Sequence, residues 1–384
     1  MPNLKISFNV KPKTGPWGGG NLFIENLKNF LESNGHQVVF HLFDSDIDII
    51  LVVDPRLLSE SVLFTMKEIE FYKKYINKNC KVVHRINECD ERKNTSGLNE
   101  YYLKANNVAD YTVFVSEWMQ NLYIDFGFSK KNYSVIMSGS NNLIFNNMDR
   151  VKWNKEEPLR IVTHHWGDNL NKGFDVYEYL DEQIYKHYQD KLIFTYIGNV
   201  NKNIIFKGSN IIAPKAGIEL SRLIKENHIY LTASINEPSG NHHIEAAQCG
   251  LPILYRNSGG IPEFTDGFGI SFNGLEDFIE SLDKIKNKYD YFFDKLTTYP
   301  YNSNVMCQDY LDLFNELNKS SIPKLEVPKV TFTPKHYLSK FIYKFNKFLN
   351  TLNIYEIKVR IKKYLLIKFQ ILKNESNVVW IKNK

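Results

Sequence analysis

The chain has 384 residues, 43% of them hydrophobic and 14% aromatic, with 48 Lys and Arg against 43 Asp and Glu. It is too long for one hydrophobic core and too apolar for a disordered chain, so two packed domains are expected. The four cysteines, Cys80, Cys89, Cys249 and Cys307, lack paired spacing; this argues against a zinc module and fits a reduced, cytoplasmic compartment.

The first residues run straight into a strand-like segment, so no signal peptide is expected, and no apolar run reaches the roughly 18 to 20 residues needed to cross a bilayer. Residues 6–10 read as a strand, followed by a glycine-rich loop through Gly18, Gly19 and Gly20. A helix over about 21–33 comes next, with Leu22, Leu27, Phe30 and Leu31 on its apolar side. Strands at 38–43 and 47–53 complete a β-loop-α-β order, which predicts a doubly wound parallel sheet with ligands at the carboxyl ends of its strands. The glycine loop matches neither a Gly-x-Gly-x-x-Gly fingerprint nor a Walker A pattern, which argues against nicotinamide and P-loop chemistry. Asp44-Ser45-Asp46 has the form of an Asp-x-Asp metal site but reads as solvated carboxylates flanking a strand.

A helix is predicted over 59–76 and a strand over 81–83, leading into His84-Arg85-Ile86-Asn87-Glu88-Cys89-Asp90-Glu91-Arg92-Lys93. The density of donors and acceptors suits carbohydrate hydroxyls, with Arg85, Asn87, Asp90 and Arg92 as acceptor contacts. A strand at 111–115 precedes Ser116, which reads as a helix N-cap. Residues 134–137 close the first domain, 1–155, and the polar stretch 148–158 is the linker. The second domain, 156–320, restarts a parallel sheet at 159–163. His164 to Gly173 then leads into a helix. The pair His164-His165 does not read as metal ligands, since neighbours on an extended chain point to opposite faces, and His242 and His243 read as no metal site either, His242 and Glu245 being helix neighbours on a polar rim. The turn Gly198-Asn199 after a strand at 192–197 offers backbone contact to a nucleotide.

A strand at 229–233 delivers the stretch Glu237-Pro-Ser239-Gly240-Asn241-His-His-Ile-Glu245, a short helix closed by Gly250 and Pro252, a strand, and Ser258-Gly259-Gly260-Ile-Pro262-Glu263. Helix N-termini carry roughly half a positive charge and favour anions. Glycines let the backbone approach a ligand, and carboxylates accept hydrogen bonds from sugar hydroxyls. Together these suit a nucleotide-sugar diphosphate.

The string resembles the donor signature of the retaining glycosyltransferase family 4: two glutamates separated by seven residues, a Gly-x-Pro turn and a Gly-Gly-x-Pro-Glu loop. Ser239 stands where many members carry an aromatic residue. The resemblance implies the GT-B fold, two Rossmann-like domains facing a cleft. It also implies sugar transfer from a UDP- or GDP-sugar to a hydroxyl of a glycan or lipid-linked acceptor, with retention and without a metal or cofactor. By the same resemblance, Glu237 steadies the transferred sugar and Glu245 the ribose, while His84 orients the sugar from the opposite domain. Lys172, Gly18 to Gly20, Gly259 and Gly260 stabilise the leaving diphosphate, with Ser239, Gly240, Asn241 and Gly198 completing the donor site. Trp166 and Gly167 occupy positions where the family commonly places an arginine. Other readings of the signature are a non-catalytic nucleotide-sugar or carbohydrate-binding protein and a GT-B nucleotide-sugar epimerase.

Residues 321–384 hold 14 Lys and Arg against 3 Asp and Glu, net +11, leaving the remainder at net −6. Interleaved Phe, Ile, Leu and Tyr over 335–372 predict basic amphipathic helices. Peripheral docking on the inner face of a membrane and packing on the first domain or a second copy both fit this pattern. No nucleic-acid motif is present.

Overall fold

The computed structural model describes residues 3–13, 18–56, 59 and 61–319; the tail proposals for 321–384 lie outside these residues. Two six-stranded parallel sheets form the body. The first comprises β1 (Lys5–Phe8), β2 (Gln37–Val39), β3 (Ile49–Val52), β4 (Lys81–Ile86), β5 (Tyr111–Phe114) and β6 (Tyr133–Val135) in the order β2-β1-β3-β4-β5-β6. The second comprises β7 (Leu159–His165), β8 (Leu192–Gly198), β9 (Asn210–Ile212), β10 (Ile229–Thr232), β11 (Ile253–Arg256) and β12 (Gly269–Phe272) in the order β12-β11-β10-β7-β8-β9. Both are covered by helices on their two faces, so central strands such as β3 and β11 are buried at every residue.

Several boundaries differ from the sequence reading for local reasons. The helix expected over 59–76 spans Met66–Tyr75, because Thr65 and Glu68 form a capping box that fixes its start. The strand expected to stop at residue 83 runs to Ile86, since Arg85 and Ile86 still pair with Val113 and Phe114. The helix Ser303–Lys319, within the span 156–320 assigned to the second domain, packs on the first. Its stripe of Met306, Tyr310, Phe314 and Leu317 shares one core with Phe8, Phe23, Leu27 and Leu31. The crossing is marked by Ser303 N donating to Ser140 O (2.7 Å).

The segments that follow the carboxyl ends of β4, β7 and β10 meet between the two sheets, where ligands of such sheets are held. No helix among the described residues is long and apolar enough to cross a membrane.

Candidate functional site

A cleft of about 470 Å³ opens between the sheets. Its donor-side wall begins after β10, where the chain turns at Gly240 (φ +63°) into the helix Asn241–Gln248. A Cβ on Gly240 would lie 2.7–2.9 Å from the side chains of His243, Glu237 and His242, so the turn requires glycine. That helix has no side-chain cap, and Gly240, Asn241 and His242 line the cleft, leaving backbone N–H groups and a positive dipole end there.

Beside the helix lies a charged group assembled from both domains. Lys172 Nζ is 2.5 Å from Glu237 Oε2, with both side chains under 10% exposed. Arg92 Nε, from the first domain, is 3.1 Å from Glu237 Oε1, and Arg92 Nη1 reaches both oxygens of Glu88. Burial alone would raise the Glu237 carboxyl, but Arg92 and Lys172 outweigh it and hold it well below the usual carboxylate range. Burial lowers Lys172 from its ordinary value, with Glu237 opposing the shift. Glu237 is therefore ionised, and its two ion pairs make it a weak base.

Glu245 also lines the cleft, and its Oε2 is 2.9 Å from His164 Nε2. His164 Nδ1 in turn meets Tyr230 Oη at 3.1 Å, so the carboxylate is oriented from behind. Ser239 Oγ accepts from Ser138 Oγ across the domains (3.1 Å). Gly19 packs so close to Asn241 that a Cβ would come within 2.9 Å of its side chain. Gly18, Gly19 and Gly20 form the opposite rim.

No protein-family model matches the sequence, and no curated protein is significantly similar to it. Solved structures do match in shape. A glycosyltransferase from Rickettsia africae superposes with TM-score 0.60 at 13% identity, over 84% of this chain and 100% of that one. Anabaena HepE, solved with UDP and glucose, gives 0.59 at 13% over 82% and 100%. The catalytic domain of starch synthase IV from Arabidopsis thaliana, bound to ADP and acarbose, gives 0.61 at 11% over 83% and 100%. The fold is GT-B.

Within this GT-B cleft, Glu237, Lys172, Glu245, Ser239, Gly240, Asn241 and Gly18 to Gly20 stand together, joined by Arg85, Asn87 and Arg92 from the first domain. Other expected site residues do not reach it. His84 is fully buried behind the wall. Its ring stacks on Tyr102, and Nδ1 lies 3.0 Å from Asn106 Oδ1. Strand alternation explains this, since neighbouring residues on β4 face opposite sides and Arg85, not His84, points to the cleft side. Asp90 is turned away to accept from Leu98 N (3.1 Å), Asn99 N (2.9 Å) and Thr95 Oγ1 (2.7 Å), anchoring the start of the next helix. Gly198 abuts the His165 backbone, with which β8 pairs. Gly259 and Gly260 clasp the Glu237 segment: Gly260 N donates to Glu237 O (2.9 Å), and a Cβ on Gly259 would collide with the Glu237 backbone. Both hold the Glu237 segment from behind, and neither lines the cleft. Arg92, expected at an acceptor, is bound to Glu237 instead. Asn87, in the amide orientation that satisfies both ends, donates to Val53 O and accepts from Arg85 Nη1. Asp44 and Asp46 pair with Lys5 (3.4 and 2.8 Å).

The sequence reading missed three features. Leu22, Glu25, Asn26 and Asn29, at 0, 3, 4, 7 spacing, line the cleft from the helix Gly19–Ser33; Leu22, expected on the buried apolar side, is half-buried on this face, and Phe23, Ile24, Leu27 and Leu31 form the buried one. His164 as the partner of Glu245 lies 81 residues away from it and left no local signal. Glu263 accepts from Glu117 N and Trp118 N at 2.7 Å each, capping the helix Glu117–Asp125 of the other domain. The proline-glutamate end of the signature thus joins the domains.

Proposed function

We propose that the chain is a glycosyltransferase that moves a sugar from a nucleoside-diphosphate sugar to a hydroxyl of a glycan or lipid-linked acceptor. The observation that carries this reading is the convergence of an ion-paired Lys172 and Glu237, an uncapped helix N-terminus and an oriented Glu245 in one interdomain cleft. Lys172 and the N–H groups after Gly240 are donors for the negative charge that grows on the leaving diphosphate. Glu245, fixed by His164, suits a ribose diol. Glu237 contributes orientation and charge to the transferred sugar; an acidity this far below neutral disfavours it as a proton acceptor. Retention and metal independence follow from the resemblance and belong to the same proposal.

The acceptor approaches in this account from the first-domain wall, where Asn26 and Asn29 present amides that both donate and accept, matching hydroxyls. Closure of the cleft would keep water from the donor.

The test is release of nucleoside diphosphate from UDP-, GDP- and ADP-sugars with a panel of saccharide and lipid-linked acceptors. Acceptor-dependent release by the wild type, and its loss in Glu237→Gln, support the reading. Donor binding without release for any acceptor contradicts it.

A further inference from the structure

We propose that Arg92 is the second cation of the donor's diphosphate site, supplied by the opposite domain, so that the donor's phosphates bolt the two domains together. This rests on the donor reading above and deepens it.

The geometry is specific. Lys172 Nζ and Arg92 Nε hold the two oxygens of one carboxylate, Glu237, so the two cations flank a single side chain. Arg92 Nη1 is engaged by Glu88, whereas Nη2 has no acceptor among the described residues. Arg92 and Lys172 both line the cleft. Lys93, which also lines it, reaches Glu88 at 3.4 Å, so three cations face two carboxylates and a net positive charge remains for an anion.

The loop carrying Arg92 is seated on the donor domain beside both partners. Asn171, adjacent to Lys172, donates to Arg92 O (3.1 Å), and Asn236, adjacent to Glu237, donates to Glu91 O (3.3 Å). Asp90 pins the same short helix from behind through Leu98 and Asn99. A guanidinium with Nε and Nη1 held by carboxylates and Nη2 open is oriented to donate Nη2–H to a phosphate oxygen, which a lysine, with its single nitrogen, could not do while keeping both ion pairs. Glu237 in this arrangement positions both cations and need not leave. A nucleoside diphosphate spans Lys172 and Arg92, whereas a monophosphate reaches one of them.

Titration calorimetry of the full chain with UDP, GDP and ADP, and with the corresponding monophosphates, tests this. For the diphosphate that the wild type binds, Arg92→Gln is expected to weaken affinity about 10- to 100-fold, the worth of one hydrogen bond to a charged group. Monophosphate affinity should change by less than about threefold, within the scatter of losing a distant charge. Arg92→Lys, which keeps the charge and loses the Nη2 donor, should fall between, and it carries the test if the glutamine variant does not fold. Unchanged diphosphate affinity, or equal loss for mono- and diphosphate, overturns the proposal. Loss in Lys172→Met without loss in either Arg92 variant removes Arg92 alone. Absence of any diphosphate binding by the wild type removes the donor reading with it.

Discussion

Replacing Lys172 by Met removes the charge at nearly constant volume and leaves Glu237 buried with only Arg92 as a partner. Breaking a buried ion pair from one side costs about 3–5 kcal/mol. Because Arg92 remains within 3.1 Å, the loss here should be smaller, about 2–3 kcal/mol. Glu237→Gln should cost less, about 1–2 kcal/mol, because burial already lowers the Lys172 ammonium from its ordinary value and without Glu237 it can release its proton. The sign follows by linkage. In that variant the folded state binds fewer protons at residue 172 than the unfolded state does, so stability rises with pH and the loss shrinks toward the free-lysine value of about 10.4. The double variant removes both charges and should be more stable than the sum of the single effects by about 2 kcal/mol. Calorimetric unfolding of the four proteins, with Glu237→Gln repeated from pH 7 to 9.5, measures this. Additive losses, or a harmless Lys172→Met, would refute the argument that these two groups compensate each other.

Asp90→Ala should lower stability by about 1–2 kcal/mol, as loss of a helix-capping carboxylate does, with acceptor KM unchanged; a rise in acceptor KM at unchanged stability would return Asp90 to the acceptor site. His84 is buried and neutral, with its pKa lowered by burial to about 4. Between pH 6.5 and 4 only the unfolded state gains that proton, so acidification should remove about 3 kcal/mol. His84→Gln should flatten the dependence of the thermal midpoint on pH over this window, and an unaltered slope would contradict the assignment. Glu25→Ala combined with Asn29→Ala should raise acceptor KM about 3- to 10-fold, the scale of one or two modest hydrogen bonds. Acceptor-independent donor hydrolysis should stay constant, and an equal change in donor KM would place these residues elsewhere in the reaction.

Features encoded by local sequence are the ones most legible in the chain itself. Gly240, Glu245 and the helix Asn241–Gln248 follow from one contiguous string and Lys172 from a second, and the β-loop-α order led to the parallel sheets. Features that depend on register or on distant partners were not readable. His84 and Arg85 are neighbours, and which of them faces the cleft depends on how β4 pairs with β3 and β5. Asp90 looks like a surface acid until the turn at Gly97 brings the amides of Leu98 and Asn99 onto it. Arg92 meets Glu237 across 145 residues, a contact fixed by how the two domains close. Gly259 and Gly260 show the same limit in reverse: a glycine pair can serve a ligand or neighbouring protein atoms, and here the backbone of Glu237 fills the space at Gly259, and Pro238 O with Ser116 the space at Gly260.

The central claim, a diphosphate-binding cleft built on Lys172, is tested most directly by thermal shift with nucleosides and nucleoside diphosphates of uracil, guanine and adenine. A diphosphate present at 100 times its Kd should stabilise the wild type by about 2.7 kcal/mol. The parent nucleoside should do far less, and Lys172→Met should lose most of the diphosphate's advantage. If no diphosphate shifts the wild-type midpoint, or if Lys172→Met responds as the wild type does, the account is contradicted.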